Sequence, residues 1–268
     1  MKNTIFLSSR SKIISSVAVA LGLTLLSGQA SAGEWMVGAN LGGGRNPIVG
    51  EDGYAVLVPV VAYRGERFHA NLGNPGLSFF NGSAHFGGLG YSLIKEENFN
   101  LDLVGRFRAM GIDPDDNDEL EGLKKRKPGF DAGIDVSWGS EFGELNGQLL
   151  ADISGRSKGQ ELVVSYAYPV QFGGWTLKPE LGVSWQSSDL ADYYFGVDAD
   201  ESNSQRAAYE GKSTVTPFLG IQAEYELTKH TNLIGGVGVG RLGDGISDSP
   251  IVEERNVAGG FIGAVYHF

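Results

Sequence analysis

The chain has 268 residues and no cysteine, and its 32 acidic against 21 basic side chains give a net charge of −11. This balance argues against a nucleic-acid partner, because a phosphate backbone demands a basic surface, and the absence of cysteine excludes disulfides and thiol chemistry. Glycine is abundant, at 41 residues, but it follows no Gly-X-Y repeat and comes without a proline or serine bias, which excludes collagen-like and low-complexity chains.

The N-terminus predicts export. Three bases precede an apolar stretch over residues 13–26, and residues 30–32 (Ala-Ser-Ala) are the small residues that a signal peptidase accepts. The stretch is too short for a membrane anchor, which needs about 20 apolar residues. We therefore expect residues 1–32 to be a cleaved signal peptide and residues 33–268 to form the mature chain. The leader carries three bases and no acid, so the mature net charge would be −14.

Apolar and polar residues alternate along the mature chain. The period of two is that of a strand with one face toward lipid and the other toward a polar interior. The strand predicted at residues 54–63 is apolar on both faces and contains Pro59, so we expect it to bend or to form an edge during assembly. Residues 73–81 show no clear period. Residues 99–109 place apolar side chains on one face and charged ones on the other. The same arrangement recurs in residues 130–138, 144–153, 175–185 and 214–225.

The last thirteen residues, 256–268, alternate in the same way and end on an aromatic side chain. This is the form of the closing strand of a bacterial outer-membrane barrel, and Tyr266 and Phe268 are the candidate signal for the barrel-assembly machinery. A secreted β-sandwich would alternate too. The nearly apolar face opposite a charged one, together with the leader and the terminal Phe268, favours a barrel in the outer membrane of a Gram-negative cell.

The lengths of the connections predict the strand count and the orientation. Short connections, read as periplasmic turns, span residues 64–66, 95–98, 139–143, 170–174 and 227–231, and long polar ones, read as extracellular loops, span 42–53, 111–129, 187–212 and 242–254. Two more connections lie at 73–83 and 154–159. The predicted fold is therefore all-β, an antiparallel transmembrane β-barrel of twelve strands, with ten as the alternative and both termini periplasmic.

The charged faces of these strands are expected to line the lumen. The candidate lumen residues are seven acids and four bases: Asp102, Asp131, Asp135, Glu144, Asp152, Glu180 and Glu224, with Arg67, Arg106, Arg108 and Lys178. A barrel of about twelve strands lies between the small ones that side chains fill and the 16-stranded porins with water channels. The charges could close the bore by pairing across it or could line a narrow cation-preferring pore. The long basic side chains favour a mostly closed lumen.

The four histidines form no catalytic constellation in the sequence. Enzymatic barrels place a base and a nucleophile at the outer rim, where only His85 is expected. His69 is expected to face the lumen, and His230 and His267 to lie at the periplasmic end. No Gly-x-Ser-x-Gly run accompanies His85, so we interpret it as a polar barrel residue. We predict no enzymatic activity and no cofactor.

An acidic segment at residues 113–118 begins like a calcium loop, with oxygen ligands at alternate positions. Asp118 stands where such a loop needs glycine, and Lys124 where it needs a bidentate glutamate. The bases at 124–127 follow at once and can pair with the acids. We therefore predict a solvated loop without a resident metal, and the alternative is a loose divalent bridge to lipopolysaccharide phosphates.

Two blocks of sequence resemble the MltA-interacting protein (MipA/OmpV) family of outer-membrane proteins. Residues 192–197, Asp-Tyr-Tyr-Phe-Gly-Val, followed by Glu201-Ser202, are similar to the Tyr-Tyr-Tyr-Gly-Val and Glu-Ser pair of that family. Residues 248–252, Asp-Ser-Pro-Ile-Val, look like the Asp-Ser-Pro-Met-Val stretch that precedes its final strand. The turn at 63–65 and the closing aromatic residues also fit, so the resemblance covers nearly the whole mature chain.

The resemblance implies a non-enzymatic scaffold. The namesake of the family links a membrane-bound lytic transglycosylase, MltA, to a bifunctional penicillin-binding protein, and so couples the cutting of peptidoglycan to its synthesis. Other members are described as adhesion or antigenic surface proteins. Residues 45–53 depart from the Ser-Pro-Tyr-Arg-Gly type of run that the family would place there. The expected surroundings are outer-membrane lipid and lipopolysaccharide.

The alternatives to a scaffold are a small-solute channel and a surface adhesin. For an adhesin, the candidate binding residues of the longest outer loop are Tyr193, Tyr194, Phe195 and Tyr209, because exposed tyrosine buries area at low entropic cost. The same rings could instead fold onto the barrel mouth as a lid. Their place in a family-like block favours the structural interpretation.

Overall fold

The computed structural model describes residues 33–73 and 83–268, so the predicted signal peptide and most of the 73–83 connection lie outside the described residues. The strands are β1 (Glu34–Gly44), β2 (Tyr54–Arg64), β3 (Phe68–Leu72), β4 (His85–Lys95), β5 (Phe99–Arg108), β6 (Gly129–Ser140), β7 (Gly143–Asp152), β8 (Gln160–Ala167), β9 (Val170–Phe172), β10 (Trp175–Gln186), β11 (Thr214–Thr228), β12 (Thr231–Arg241) and β13 (Asn256–His267). Two short helices, α1 (Ser188–Phe195) and α2 (Asp244–Ser247), lie in the connections. No helix within 33–73 or 83–268 is long and apolar enough to cross a membrane.

The sheet closes on itself as an antiparallel barrel. Successive strands pair in chain order, and β13 returns to pair with β1 from Met36 opposite His267 to Gly44 opposite Gly259. β8 and β9 both pair with the same edge of β10, and Pro169, which has no N–H to donate, lies in the short gap between them. The two pieces make one barrel strand. The predicted count of twelve is therefore confirmed.

Pro59 causes no break in its strand. β2 is continuous, with Pro59 opposite Ala39 of β1, while the ladder between β2 and β3 ends at Val61 opposite Leu72. Pro59 thus lies beyond the last β3 pair, where its missing N–H removes no described hydrogen bond of that ladder. Gly73 follows β3 with a φ of 78°, in the left-handed region that favours glycine. The predicted bend is not seen, and in the closed barrel β2 pairs with β1 on one side and with β3 on the other.

The outer face carries the apolar set that the alternation predicts. The exposed fraction of Leu181 and of its cross-strand partner Leu219 is 60%. Exposed aromatic residues gather at the end with the short connections, where Trp35 packs on Tyr63 at 5.0 Å between ring centroids and Trp175 packs on Tyr225 at 4.8 Å. An apolar band bordered by aromatic residues is typical of a barrel surface in lipid. We call this end the turn end and the opposite one the long-loop end.

The inner face has a glycine-rich wall formed by β12, β13 and β1. Outward residues such as Val237, Ile262 and Leu41 alternate there with inward glycines. Two aromatic rings on the inner face lie against glycines, one on this wall and one on β10. A Cβ at Gly236 would lie 2.8 Å from Cε1 of Phe261, and one at Gly182 would lie 2.5 Å from Cζ of Phe218. Glycine is needed at these positions because any side chain would displace the ring.

The largest buried apolar cluster lies in the connections at the long-loop end. We call these connections, residues 45–53, 109–128, 187–213 and 242–255, the loop cap. Their packed residues are Ile48, Ile112, Leu120, Leu123, Leu190, Ala191, Tyr194, Phe195, Val197, Leu242, Ile246 and Ile251, with Val257 from β13. The long connections are present as predicted, but they are not merely polar loops. Together they form a small hydrophobic core of their own.

The lipid-facing position of Leu181 gives a first prediction. Leu181→Arg should lower the free energy of unfolding in lipid vesicles by about 2–4 kcal/mol, because Leu181 lies at the middle of β10, where a charge meets the membrane centre. Phe142→Arg is the control, since Phe142 is 72% exposed in the two-residue turn after β6 and should cost about 0–1 kcal/mol. Urea titration measures both. Equal costs for the two variants would contradict the assigned depth of Leu181.

Candidate functional site: the charged lumen and the loop cap

The strand period and the register bring the predicted lumen charges together. Asp102, Arg106 and Arg108 share one face of β5 because they are two and four residues apart. The pairing of β5 with β6 sets Asp102 opposite Asp135 and Arg106 opposite Asp131. Each guanidinium of β5 pairs diagonally with an acid of β6, Arg106 with Asp135 and Arg108 with Asp131.

The most buried charged cluster lies inside the barrel near the long-loop end and is centred on Arg108. Its Nη2 lies 2.7 Å from Oε2 of Glu161 and 2.8 Å from Oδ2 of Asp131. Nε donates to the same Asp131 oxygen at 2.9 Å, and Nη1 donates to the carbonyl oxygen of Ser83 at 2.8 Å. All three charged residues are buried. They come from β5, β6 and β8, so the cluster ties together strands that are not all neighbours.

The second oxygen of Glu161 is also fully engaged. Oε1 accepts hydrogen bonds from Ser184 Oγ at 3.0 Å and Gln186 Nε2 at 3.2 Å, both on β10, and from the Ser83 hydroxyl. A buried carboxylate is tolerated only when such hydrogen bonds and an opposite charge replace its lost hydration. The contacts around Glu161 meet that condition, and they extend the cluster from β5 to β10.

His85 belongs to this cluster. Nε2 lies 2.8 Å from Oδ2 of Asp131, and Nδ1 lies 3.9 Å from Oε2 of Glu161. The imidazole is buried, at the start of β4 and close to the long-loop end. Both acids that it contacts are already bound by Arg108. These contacts support the interpretation of His85 as a polar barrel residue within an ion-pair network.

Weaker pairs follow along the bore toward the turn end. Arg106 Nη2 lies 3.5 Å from Oδ2 of Asp135, and Gln148 Nε2 donates to that same oxygen at 2.7 Å. Lys178 Nζ lies 2.6 Å from Oε2 of Glu144. These side chains are half-buried, or in the case of Glu144 more open, unlike those around Arg108. The charge pairs therefore become more accessible from the long-loop end to the turn end.

The remaining acids at the turn end have fewer basic partners. Asp102 lies 3.7 Å from Nε2 of His69. Glu224 accepts a hydrogen bond from the side-chain amide of Asn232. Within residues 33–73 and 83–268, neither Glu180 nor Glu224 forms an ion pair. This half of the lumen therefore carries a local excess of negative charge.

Two of the predicted lumen residues occupy other places. Arg67 is exposed in the turn between β2 and β3, where its Nη1 donates to the carbonyl oxygen of Ser92 at 3.2 Å. Asp152 ends β7 and turns its carboxylate to the following connection, accepting from the amides of Ser154, Ser157 and Lys158. The prediction for Arg67 is wrong because the turn extends through residue 67, one residue beyond the predicted 64–66. Asp152 was misplaced because a strand end offers free backbone donors that alternation does not reveal.

Glu161 is the main residue that the sequence interpretation missed. It lies in β8, where Glu161, Val163 and Ser165 alternate with the more exposed Leu162 and Val164. The same rule that identified the other lumen acids would have placed Glu161 on the inner face. Its pairing with Arg108 was beyond that rule, because the two strands are separated by β6 and β7.

The loop cap contains a second buried ion pair. Arg126 donates to both oxygens of Glu201, at 3.0 Å from Nη1 and 2.8 Å from Nη2. The amides of Lys124 and Asp198 donate to the same carboxylate at 2.6 and 2.9 Å. Burial alone would raise the pKa of the Glu201 carboxyl, but these hydrogen bonds and the charge of Arg126 outweigh it and lower the pKa to about 2. The pair joins the β5–β6 connection to the β10–β11 connection.

Backbone contacts link the other parts of the cap. Arg206 is buried and donates to the carbonyl oxygens of Glu119, Glu121 and Glu201 at 2.8–3.0 Å. Asn117 Nδ2 donates to the carbonyl oxygen of Val49 at 2.9 Å. The Val49 amide in turn donates to the carbonyl oxygen of Ile251 at 3.0 Å. All four long connections are therefore joined by hydrogen bonds as well as by apolar contacts.

The four candidate aromatic residues, Tyr193, Tyr194, Phe195 and Tyr209, which we call the tyrosine block, lie inside the cap more than on its surface. Tyr194 is 2% exposed and Phe195 is 4% exposed, and both belong to the apolar cluster. Burial raises the pKa of the Tyr194 hydroxyl. Tyr193 and Tyr209 are partly exposed, with the Tyr209 hydroxyl donating to the carbonyl oxygens of Asp244 and Gly245. This arrangement agrees with the interpretation in which the rings fold onto the barrel mouth as a lid. As a free aromatic binding patch, the block would lack two of its four rings.

The two remaining predicted sites are the C-terminal aromatic residues and the acidic segment at residues 113–118. Tyr266 and Phe268 pack edge to face at 5.1 Å at the turn end, and the Phe268 amide donates to the carbonyl oxygen of Trp35 at 3.0 Å. In the acidic segment, Asp113 pairs with Lys125, and this lowers the pKa of the Asp113 carboxyl. No group of three or more His, Cys, Asp or Glu side chains able to hold a metal ion occurs in the described parts of the chain.

Comparison with known proteins agrees with this architecture. The family model described as MltA-interacting protein MipA matches residues 37–268. The chain is 27% identical to YiaT of Escherichia coli K12 over 92% of this chain and 96% of YiaT. It is 28% identical to the outer membrane protein OmpV of Vibrio cholerae over 88% and 87%, and 27% identical to the MltA-interacting protein of Escherichia coli K12 over 88% and 92%. The predicted resemblance and the outer-membrane location are confirmed.

The Arg108 cluster predicts a large effect of one substitution. Arg108→Met should lower the free energy of unfolding by about 3–5 kcal/mol, because it leaves two buried carboxylates without their cation. Arg106→Met is the matched control, and its half-exposed pair at 3.5 Å should be worth about 1 kcal/mol or less. Urea unfolding in vesicles compares them. A loss in Arg108→Met as small as that in Arg106→Met would show that Arg108 and its acids are solvated.

The depressed pKa of Glu201 predicts that acid loosens the loop cap. A carboxyl whose folded pKa is about 2 stabilises the cap above its ordinary pKa of 4.5, and this contribution is lost as the pH falls from 4.5 toward 2. Amide hydrogen exchange of Lys124 and Asp198, corrected for intrinsic rates, should accelerate over that range. Glu201→Gln should exchange faster at neutral pH and show no further step. Wild-type protection that is unchanged down to pH 2 would refute the assignment.

Proposed function

Because the chain belongs to the MltA-interacting protein MipA family of outer-membrane barrels, we propose that it is a non-enzymatic scaffold whose barrel is closed to solutes and which binds a lytic transglycosylase of the MltA type. The namesake relative is named for such an interaction. By resemblance, a bifunctional penicillin-binding protein would be the second partner. The barrel would then serve to hold cell-wall enzymes at the outer membrane.

The observation that supports a scaffold over a pore is the burial of charged and apolar side chains at the long-loop end. Arg108, Asp131 and Glu161 form a buried ion-pair cluster that reaches from β5 to β8. The loop cap adds an apolar core at the same end of the barrel. We infer that the paired charges and the packed core together close the lumen at this end. A closed lumen leaves the surface of the barrel, and not its interior, to carry the function.

The turn end is the surface that we assign to the partner, with this end facing the periplasm. Each turn is short, but the turns follow one another around a closed barrel and so form a single face. Its exposed charges have a small excess of acids, with six acids, Glu34, Glu66, Glu96, Glu97, Glu141 and Glu226, against four bases, Arg64, Arg67, Lys95 and Lys229. A stable interface needs roughly 800 Å² from each partner, which only several turns together can supply. The acidic face would favour a basic surface on the transglycosylase.

A narrow cation-preferring channel is the second candidate. It is favoured by the acids near the turn end, where Glu180 and Glu224 lack an ion pair within the described residues. An adhesin that binds through the tyrosine block has less support, because the rings of Tyr194 and Phe195 are buried. The two candidates differ in a simple way. A channel needs a path past Arg108, and a scaffold does not.

Conductance and binding separate the scaffold from the channel. The refolded wild-type barrel should be silent in a planar bilayer, and in lipid nanodiscs it should bind a purified MltA-type transglycosylase. Replacing Glu66, Glu96, Glu97 and Glu141 together by Gln should weaken this binding about tenfold and more at low salt, because the attraction is electrostatic.

The matched control replaces four exposed acids of the loop cap, Asp115, Asp116, Glu121 and Glu253, by Gln, and it should bind as the wild type does. Stable cation-selective steps without binding would promote the channel. Equal weakening in both quadruple variants would show that the turn end is not the interface.

A further inference from the structure

The seam of the barrel, by which we mean the pairing of β13 with β1, is joined mainly through its backbone. The register runs without interruption over nine residues of each strand. A Cβ at Gly38 would lie 2.1 Å from the carbonyl oxygen of Ala264, and one at Gly263 would lie 2.4 Å from that of Ala39. The two strands therefore approach too closely at these glycines for an inward side chain.

Charged side chains cross the seam at its two ends. At the turn end, Nδ1 of His267 lies 2.8 Å from Oε1 of Glu34. At the long-loop end, just beyond the two strands, Nη1 of Arg45 lies 3.5 Å from Oε1 of Glu254. Within the described residues, no other ion pair or hydrogen bond between side chains joins residues 33–45 to residues 254–268. Each end of the seam thus has one charged pair of its own.

The two pairs differ in their dependence on protons. Arginine keeps its positive charge at every physiological pH. Histidine, in contrast, gains or loses its proton between about pH 5 and pH 8. A protonated His267 is a cation beside a carboxylate, whereas a neutral His267 can only donate a hydrogen bond to Glu34. The attraction at the turn end must therefore decrease as the pH rises, while the attraction between Arg45 and Glu254 stays constant.

The surroundings leave Glu34 as the acid that responds to the charge of His267. The exposed fraction of the side chain is 25% for His267 and 43% for Glu34, so both groups can exchange protons with water. Among the described residues, Glu34 is the only acidic side chain in contact with His267, and Arg64 forms no ion pair with Glu34. The other charged or titratable groups around the pair are Arg64 opposite Glu34 on β2, Lys229 and His230 in the turn before β12, and the terminal carboxylate of Phe268.

A backbone hydrogen bond across the seam lies beside each charged pair. At the turn end, the Phe268 amide donates to the carbonyl oxygen of Trp35 at 3.0 Å, and Phe268 directly follows His267. At the long-loop end, the amide of Arg45 donates to the carbonyl oxygen of Ala258 at 2.9 Å. The exchange of these two amide protons with solvent therefore reports separately on the opening of the two ends.

We propose that the turn end of the seam is a pH-sensitive joint, which is closed most firmly when His267 carries a proton and Glu34 is ionised. The long-loop end is held equally over the same pH range by Arg45 and Glu254. Because no side-chain ion pair or hydrogen bond crosses the seam between these ends in the described residues, each end opens according to its own pair. Tyr266 and Phe268 lie at the turn end, so the attachment of the last strand to β1 would follow the pH there.

Amide hydrogen exchange of the refolded wild-type barrel, measured by NMR from about pH 5 to about pH 8 and corrected for intrinsic rates, tests the proposal. The protection of the Phe268 amide should fall about two- to fivefold over this range, as expected for the loss of a partly exposed ion pair. The protection of the Arg45 amide should stay constant. This comparison of two amides in one protein does not depend on the folding of a variant. An equal fall at Arg45, or constant protection at Phe268, would overturn the proposal.

Two variants identify the groups that are responsible. Glu34→Gln removes the carboxylate, so the Phe268 amide should show at every pH the low protection that the wild type shows at about pH 8. His230→Gln is the matched control, since it removes the neighbouring imidazole and leaves Glu34 and His267 in place, and it should retain the fall. A heat-dependent gel shift verifies that each variant is folded. A fall that persists in Glu34→Gln, or one that disappears in His230→Gln, would contradict the assignment of the joint to His267 and Glu34.

Discussion

A membrane interior offers no water to the peptide backbone, and the rest of this structure depends on that constraint. Every amide and carbonyl within the hydrocarbon layer needs a partner in the protein, which a sheet achieves only by closing. The ladder between β13 and β1 provides the closure, joining residues more than 200 positions apart. Once the sheet is closed, side chains are divided by alternation alone. One set meets lipid, and the other is enclosed within the barrel whatever its polarity.

The enclosed set creates a second requirement, which the Arg108 cluster satisfies. Carboxylates inside the barrel are stable only with cations or hydrogen-bond donors to replace their hydration. Arg108 provides these for Asp131 and Glu161, and the pairs nearer the turn end are looser and more accessible. The burial of the charge pairs therefore decreases along the barrel from the long-loop end to the turn end. The same end that holds the tightest pairs also holds the loop cap, so electrostatic and apolar packing reinforce each other there.

The barrel itself could be predicted from the sequence because its rule is local. Residues 99–109 or 175–185 reveal their two faces without knowledge of any partner, and the turn lengths then give the number of strands. The loop cap could not be predicted in this way. Ile48, Leu120 and Ile251 lie in polar segments with no period, and their burial results from contacts among four connections that are distant in sequence. The pair between Arg108 and Glu161 has a similar origin, since it depends on register and on the curvature of the sheet. The tyrosine block was placed better by its resemblance to a family than by its composition, which suggested an exposed surface.

The glycine-rich wall of β12, β13 and β1 makes the inside of this barrel asymmetric. The charged lumen side chains lie on strands between β5 and β11, while much of the wall formed by β12, β13 and β1 is glycine, against which the ring of Phe261 packs. Less side-chain volume therefore projects inward along the seam where the first and last strands meet. The ion-pair network lies on the other strands of the sheet, away from the pairing of β13 with β1. A substitution at a seam glycine such as Gly236 therefore forces a side chain against a ring or a neighbouring strand, whereas a substitution among the lumen charges alters ion pairs.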